Sequence, residues 1–323
     1  MEYGGCLSIE LDDKAELFAR YENARIARFN CGRNAVAATA LSLKPSKVWV
    51  PYYNCTVIRD TLIKYGINIE LYYIDEDHYP MIDSIKEDEW IVYVNYFGIT
   101  SEEQISEIAE KYGRVIFDNT QALFAKPVFQ KQCFNVYSPR KFVGVADGAY
   151  VVWDNQYDIS EDYPMDVSWE RAGFLFKCAE LGSNAAYSDC QKGKVAFDDG
   201  IKQMSKLTRM MLGSIDYDRV EKIRTRNYKI LHNRLASVNK LSLPIEVSAP
   251  FVYPLLIEKA DLRAALVKRH IYVSQWWLYL LQEVPENSTE AKYTNYLLPI
   301  PLDQRCSVQD MELLADMILD CIK

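Results

Sequence analysis

The sequence predicts an α/β fold, with a large domain built on a mainly parallel sheet flanked by helices and a smaller C-terminal α/β domain. Short apolar, β-branched runs alternate with helix-forming segments before residue 141, which is the pattern of successive strand–helix units. Residues 90–96 (WIVYVNY) are almost continuously apolar, as in parallel strands covered on both faces. Similar alternation returns after residue 249, which indicates a second unit.

The predicted elements of the large domain follow one another closely. Residues 35–43 (AVAATALSL) are strongly helix-forming, and residues 101–104 (SEEQ) have the pattern of a capping box that opens an amphipathic helix. The predicted strands are 24–30, 47–51, 69–74, 90–96, 115–117, 134–137 and 149–153, and a helix is predicted at 56–65.

Later segments are less regular. Residues 154–200 show no pattern and are expected to be irregular, whereas apolar spacing from 204 to 238 predicts two helices joined near Asp216. The C-terminal part is expected to contain strands at 249–257 and 271–277 and helices at 260–269 and 308–322. We place the large domain at 1–215 and the small domain at 216–323.

Composition excludes several classes of function. The chain has 323 residues, 49% of them hydrophobic, and a net charge of −8, which argues against a nucleic-acid partner. Eight cysteines without a CxxC pair indicate neither zinc nor a disulfide framework, and three dispersed histidines give no metal site. Without a signal-like start or a long apolar run, we expect a cytoplasmic protein with no membrane segment.

An acid and an amine follow two of the predicted strands. Asp118 ends the 115–117 run, and Lys141 follows the 134–137 run. Strand ends in an α/β sheet share one crevice, so both side chains could face one ligand. Pyridoxal 5'-phosphate (PLP) requires this pair, because lysine holds its aldehyde as a Schiff base and moves protons, while an acid keeps the ring nitrogen protonated. Either residue alone is more common as a turn or surface group, so only the pair supports the hypothesis.

A glycine before a helix offers a second clue. Gly32, Arg33 and Asn34 open the predicted helix at 35–43, and free backbone N–H groups at a helix start can bind a phosphate. Simple turn chemistry is the more common explanation for such a glycine.

These segments, in this order, resemble the DegT/DnrJ/StrS family of PLP-dependent aminotransferases, which act mostly on keto sugars attached to nucleotides. Residues 118–122 (DNTQA) resemble the family's Asp-x-Ala-Gln-Ala segment, and Lys141 with the following Gly144 and Asp147 resembles the segment around its Schiff-base lysine. The resemblance covers most of the chain. It implies that Asp118 meets the pyridine nitrogen, Gln121 the ring hydroxyl and Ser138 the phosphate, with Thr120 packed under the ring.

Three positions depart from the family's pattern. Arg33 replaces a hydroxyl residue in a Gly-Thr/Ser-x-Ala motif, and Cys55 stands where an aromatic residue stacks on the cofactor. Either Tyr52 or Tyr53 substitutes for that aromatic residue, or the cofactor is held more loosely; ordinary buried packing is the more common explanation for such a cysteine. The asparagine and arginine that reach the neighbouring subunit's phosphate are missing from residues 201–203, where Lys202 is a candidate cation.

The resemblance implies a fold-type-I PLP-dependent transferase that forms a homodimer. It would transfer an amino group, often from glutamate, to a nucleotide-linked keto sugar in surface polysaccharide or related biosynthesis. Two alternatives stay open: another PLP enzyme on this scaffold, such as a dehydratase or an aminotransferase for a non-sugar ketone, or a protein that kept the fold for binding or regulation.

Overall fold

The computed structural model describes residues 5–195 and 199–323, and its centre is a seven-stranded sheet. The strand order is β1-β7-β6-β5-β4-β2-β3. The strands are β1 (Arg25–Phe29), β2 (Lys47–Pro51), β3 (Ile69–Tyr72), β4 (Glu89–Val94), β5 (Arg114–Asn119), β6 (Gln132–Tyr137) and β7 (Ala149–Trp153). Each predicted strand of the large domain is therefore confirmed, with shifts of a few residues at the ends.

Five neighbouring strands, from β3 to β6, run parallel, and β7 and β1 are antiparallel to their neighbours. In the register of this sheet, Asp118 pairs with Val94 of β4 and Val136 of β6. The acid is thus in the middle of the sheet near its carboxyl edge, and the segment after β6 begins beside it.

Helices cover both faces of the sheet and build the C-terminal part. They are α1 (Gly32–Leu43), α2 (Thr56–Lys64), α3 (Glu102–Tyr112), α4 (Trp169–Val195), α5 (Lys206–Gly213), α6 (Tyr217–Leu235), α7 (Leu262–Lys268), α8 (Thr289–Tyr296) and α9 (Val308–Ile322). Small apolar residues of α1 pack with Ile116 and Val136 on one face, whereas α3 packs with Val115 and Phe117 on the other. Among the described residues, no helix combines the length and apolarity needed to cross a bilayer.

The prediction that residues 154–200 are irregular is wrong, because α4 occupies much of this segment. The helix breaks at Gly182 (φ 82°, ψ 168°), and an ion pair of 2.8 Å joins Lys177 to Asp189 across the break. The two arms therefore lie side by side as a helical hairpin. Many of its side chains are exposed, so no apolar stripe of helical period marks it in the sequence.

The C-terminal part contains a two-stranded antiparallel sheet of β8 (Tyr253–Leu256) and β9 (Leu297–Ile300). The strand predicted at 249–257 is shorter than expected, and the strand predicted at 271–277 is wrong, because that segment has no strand pairing. Its tryptophans are instead half-buried and pack against the core, Trp277 edge-on to Tyr53 at 4.5 Å and Trp276 stacked on Phe97 at 5.8 Å. Aromatic anchoring has overridden the strand pattern. The domain division after residue 215 stays a prediction.

The capping box predicted at 101–104 forms only in part. The hydroxyl of Ser101 accepts the backbone N–H of Gln104 at 3.1 Å, but the Gln104 side chain donates to the carbonyl of Asp77 instead of returning to the cap. The predicted pair of helices around Asp216 is confirmed, since Asp216 caps α6.

Gly98 gives a test of how tightly the turn after β4 fits the segment that carries Asp118. Its φ is +73°, and an added Cβ would lie 2.7 Å from the carbonyl oxygen of Gln121. We expect Gly98→Ala to lower the free energy of unfolding by about 2–4 kcal/mol, because backbone strain and a collision add. Gly113→Ala is the control, since Gly113 has φ +70° with nothing within 4 Å, and strain alone should cost about 1 kcal/mol. Equal losses in urea denaturation would contradict the expected collision.

Candidate active site

Asp118 lies at the end of β5 and is 1% exposed. One of its carboxylate oxygens accepts the backbone N–H of Thr120 at 3.0 Å, and it forms no ion pair within the described part of the chain. A buried carboxylate without an ion pair is costly in free energy, so the position favours a ligand that brings a positive charge.

Lys141 ends a short 3₁₀ turn, Pro139–Lys141, directly after β6. Its Nζ donates to the hydroxyl of Thr120 at 2.9 Å. Burial lowers the pKa of Lys141, the nearby charge of Asp118 raises it, and Arg140 lowers it further, with a net downward shift. The same threonine thus contacts both groups, through its backbone N–H and its hydroxyl, and the amine loses its proton more readily than an ordinary lysine.

The start of α1 lies beside Thr120 and Ser138. A Cβ added to Gly32 would lie 3.0 Å from the methyl group of Thr120 and 3.7 Å from Cβ of Ser138. The N-cap residue, Cys31, gives no side-chain cap, and the buried Ser138 hydroxyl makes no hydrogen bond among the described residues. Free helix amides beside an unengaged hydroxyl suit a phosphate group.

Of the other residues predicted to hold the phosphate, Arg33 lies near the start of α1, whereas the side chain of Asn34 is engaged elsewhere. Arg33 and Arg140 both act electrostatically on the thiol of Cys31, which puts two guanidinium groups near the start of α1. The Asn34 side chain is engaged elsewhere, donating to Asn30 at 2.9 Å and to the carbonyl of Gly200 at 2.8 Å. Only the backbone of Asn34 can therefore serve a ligand.

Gln121 is buried behind Asp118. Its side-chain oxygen accepts the backbone N–H of Phe97 at 3.0 Å, so the amide nitrogen is what remains for a ligand. Lys202, the candidate cation, lies 3.8 Å from Asp166 and 3.7 Å from Asp199. Its charge is balanced within this chain.

The sequence offers Tyr52 or Tyr53 as the aromatic neighbour of a cofactor ring, and the structure engages both tyrosines in other contacts. Cys55 caps α2 and lies close enough to influence the pKa of Lys141, but Tyr53 is buried against Tyr96 and Trp277, and Tyr52 packs on Tyr73 at 4.6 Å. Neither tyrosine is therefore positioned by its packing to substitute for the missing aromatic residue.

Phe251 is the aromatic residue that sequence reasoning missed. Its ring centroid is 5.7 Å from Lys141 Nζ. It lies 110 positions further along the chain in a loop without a motif, so no local pattern could have indicated it.

A cavity of about 520 Å³ opens beside Lys141. Four arginines line it, but Arg171 is ion-paired with Asp147 and Asp166 at 2.6 Å each. Asp303, the acid among the described residues of the lining, is bound by both Nε and NH2 of Arg305. The arginines are Arg140, Arg171, Arg224 and Arg305. A larger cleft of about 760 Å³ includes neither Lys141 nor Asp118, whereas the lining of the smaller cavity includes Lys141 but not Asp118. Groups of metal-ligating side chains are absent from the described residues.

These residues fit PLP on three separate observations. A buried acid without an ion pair among the described residues, a lysine with a lowered pKa, and an open helix start beside Ser138 all converge on Thr120. PLP has a basic ring nitrogen, an aldehyde and a phosphate, one for each of these three groups.

The fold and the position of these groups define a class: the chain has the fold of fold-type-I PLP-dependent transferases. More particularly, it resembles the crystal structure of a DegT DnrJ EryC1 StrS aminotransferase from Brucella abortus, with a TM-score of 0.65 at 17% identity over 94% of this chain and 87% of that one. Bacillus subtilis NtdA with bound cofactor PMP gives 0.67 at 14% identity over 95% and 75%.

A third solved structure, E. coli GDP-4-keto-6-deoxy-D-mannose-3-dehydratase with bound hydrated PLP, gives a TM-score of 0.64 at 14% identity over 93% and 89% of the two chains. Neither a protein-family model nor a curated protein sequence matches the chain. At these identities the likeness establishes a common fold, and the fold-class prediction is confirmed.

Proposed function

We propose that this protein is a PLP-dependent aminotransferase that moves an amino group, with glutamate as the expected donor, to a nucleotide-linked keto sugar. The observation that carries the proposal is the meeting of the Lys141 amine and the Asp118 segment at Thr120. The common fold with an aminotransferase and with a dehydratase named for a GDP-linked keto sugar supports the substrate class. Surface polysaccharide or related biosynthesis is the proposed setting.

In the proposed site, Asp118 holds a proton on the ring nitrogen, and Gln121 donates its amide N–H to the ring hydroxyl. The α1 backbone from Gly32 to Asn34, with Ser138 and Arg33, holds the phosphate. When bound, PLP supplies an aldehyde that accepts the amine and a ring that withdraws electrons from the carbon being deprotonated. Cys55 is the proposed neighbour of the ring, in place of an aromatic residue.

Lys141 has the second role of moving the proton. Because burial lowers its pKa, a larger neutral fraction is available as a base at a given pH than for a solvated lysine. The hydroxyl of Thr120 holds the Nζ at 2.9 Å and keeps it directed at the cofactor side of the sheet.

A spectroscopic and product assay tests the proposal. Purified protein is loaded with PLP, and its visible spectrum is recorded before and after glutamate, with 2-oxoglutarate and any amino sugar measured by mass spectrometry. We expect the visible band to fall, 2-oxoglutarate to appear and the keto sugar to gain nitrogen. Loss of water from the sugar without nitrogen gain would assign a dehydratase instead. Cofactor binding with no response to glutamate would favour a binding or regulatory protein.

Gly32→Ala tests the phosphate cradle. The added methyl group would crowd Thr120 and the space beside Ser138, so we expect the Kd for PLP to rise by about tenfold or more. Gly173→Ala is the control, because an added Cβ there meets nothing within 4 Å. Equal PLP affinities of the two variants, measured by equilibrium dialysis, would place the phosphate elsewhere.

We further propose a cytoplasmic homodimer. Four large apolar side chains of the α4 hairpin are exposed, between 60% and 67% of their surface: Trp169, Phe176, Leu181 and Tyr187. A concentration of this kind marks association surfaces. Light scattering after gel filtration should give twice the chain mass, and Phe176→Ser should shift the protein towards the monomer. The eight free cysteines agree with a reducing compartment.

A further inference from the structure

Arg224 is a buried arginine that joins three separate segments next to Lys141. It lies on α6 and is 3% exposed. Its Nε donates to the side-chain oxygen of Gln304 at 3.0 Å, NH1 to the carbonyls of Pro250 and Phe251 at 3.2 Å each, and NH2 to the carbonyl of Phe142 at 3.5 Å. One guanidinium group thus joins the loop after β6, the loop before β8 and the segment before α9.

All four of these acceptors are neutral. Burial lowers the pKa of Arg224 to about 10, partly offset by the charge of Asp303, whose carboxylate is bound by Arg305. Replacing buried charges by well-packed apolar side chains is often neutral or stabilising. The stability of the fold therefore gives only a weak reason for a charged side chain at position 224. The directions of its N–H groups, which reach acceptors on three segments, give a stronger one.

Two of the groups that Arg224 holds control the surroundings of the Lys141 amine. Phe142 directly follows Lys141, and its carbonyl also accepts the side-chain N–H of Gln304 at 2.7 Å. Its ring lies under the guanidinium, 4.8 Å from Cζ. Phe251, held through its carbonyl, places its ring 5.7 Å from Lys141 Nζ.

We infer that Arg224 and Gln304 form a clamp that positions the Lys141 amine against Thr120 and the ring of Phe251. Arg224 is a positioning residue, because it acts through the backbone of Phe142 and Phe251. A catalytic role of the clamp rests on the proposed function, whereas its effect on the position of the Lys141 amine does not. A lysine at position 224 keeps the charge and loses the planar fork, so it cannot hold all of these carbonyls.

Chemical labelling of Lys141 in the cofactor-free protein tests the clamp. Arg224→Lys, Gln304→Leu and wild-type protein are treated with acetic anhydride across the alkaline titration range, and the Lys141 peptide is measured by mass spectrometry. Released from its buried position, the amine regains water and its pKa rises. We therefore expect the labelling rate at neutral pH, relative to that at the alkaline plateau, to fall by about five- to tenfold in both variants.

Arg226→Lys is the matched control, because Arg226 lies on the same helix and bonds Asn227 and the carbonyl of Cys306 instead of the Lys141 segment. It should label as wild type. Unchanged Lys141 titration in Arg224→Lys and Gln304→Leu would overturn the inference, even with a lower Tm, because a merely structural tie would change stability alone. If Arg224→Lys does not fold, Gln304→Leu decides, since it keeps the charge of Arg224. The labelling needs no cofactor, so a failed transaminase assay with shifted labelling refutes the proposed function and leaves the clamp intact.

Discussion

Lys141→Ala is expected to abolish covalent retention of PLP and to lower kcat by at least about 10⁴-fold. The variant removes the only amine that the structure places against Thr120 within the described residues. It removes the attachment point and the base together, so no neighbouring side chain can restore both. Borohydride treatment followed by peptide mass spectrometry should find PLP fixed to Lys141 in wild type and to no lysine in the variant.

Lys222→Ala is the control for this prediction, since Lys222 is exposed on α6, outside the cavity that contains Lys141. It should retain cofactor and turnover. PLP fixed to another lysine in the Lys141→Ala protein, with turnover near the wild-type rate, would refute the assignment of Lys141 as the catalytic amine.

Asp118→Asn is expected to have opposite effects on turnover and on the stability of the cofactor-free protein. Asparagine keeps an oxygen that can accept the Thr120 N–H, but it cannot hold a proton on the ring nitrogen by charge. We expect kcat to fall by about 10²–10³-fold, the size seen when one strong electrostatic contact to a transition state is lost. Without cofactor, Tm should stay level or rise, because the cost of desolvating a buried carboxylate that forms no ion pair among the described residues outweighs its longer-range attraction to Lys141.

Asp162→Asn serves as the control, because Asp162 is exposed and outside the site. Both quantities should match the wild type. A fall in Tm of the cofactor-free Asp118→Asn protein together with unchanged kcat would mean that Asp118 is structural, and the proposed function would lose its acid.

The sequence was sufficient for the parts of the fold that have strong local patterns. Parallel strands such as β4 and β5 are short apolar runs, and Asp118 and Lys141 each follow directly from one, so both could be located without coordinates. The α4 hairpin could not, because its exposed helices have no apolar stripe.

The surroundings of the site were harder to predict than its centre. Tyr53 was a candidate ring partner by its position in the chain, but the structure buries it against Trp277. Phe251 and Arg224 reach Lys141 through contacts that span about a hundred residues, which no spacing rule reports. Local sequence patterns can locate residues that end a strand, but they cannot indicate residues that reach the site from distant loops.

The pairing of β1 with β7 has a consequence for how the protein is made. Arg25–Phe29 forms its ladder with residues 149–153, which leave the ribosome well over a hundred positions later. Until then the first strand has no neighbour in the sheet. The strand that leads into the phosphate cradle proposed at Gly32 can therefore take its place in the sheet only after Lys141, the residue proposed to bind the same cofactor, has been synthesised.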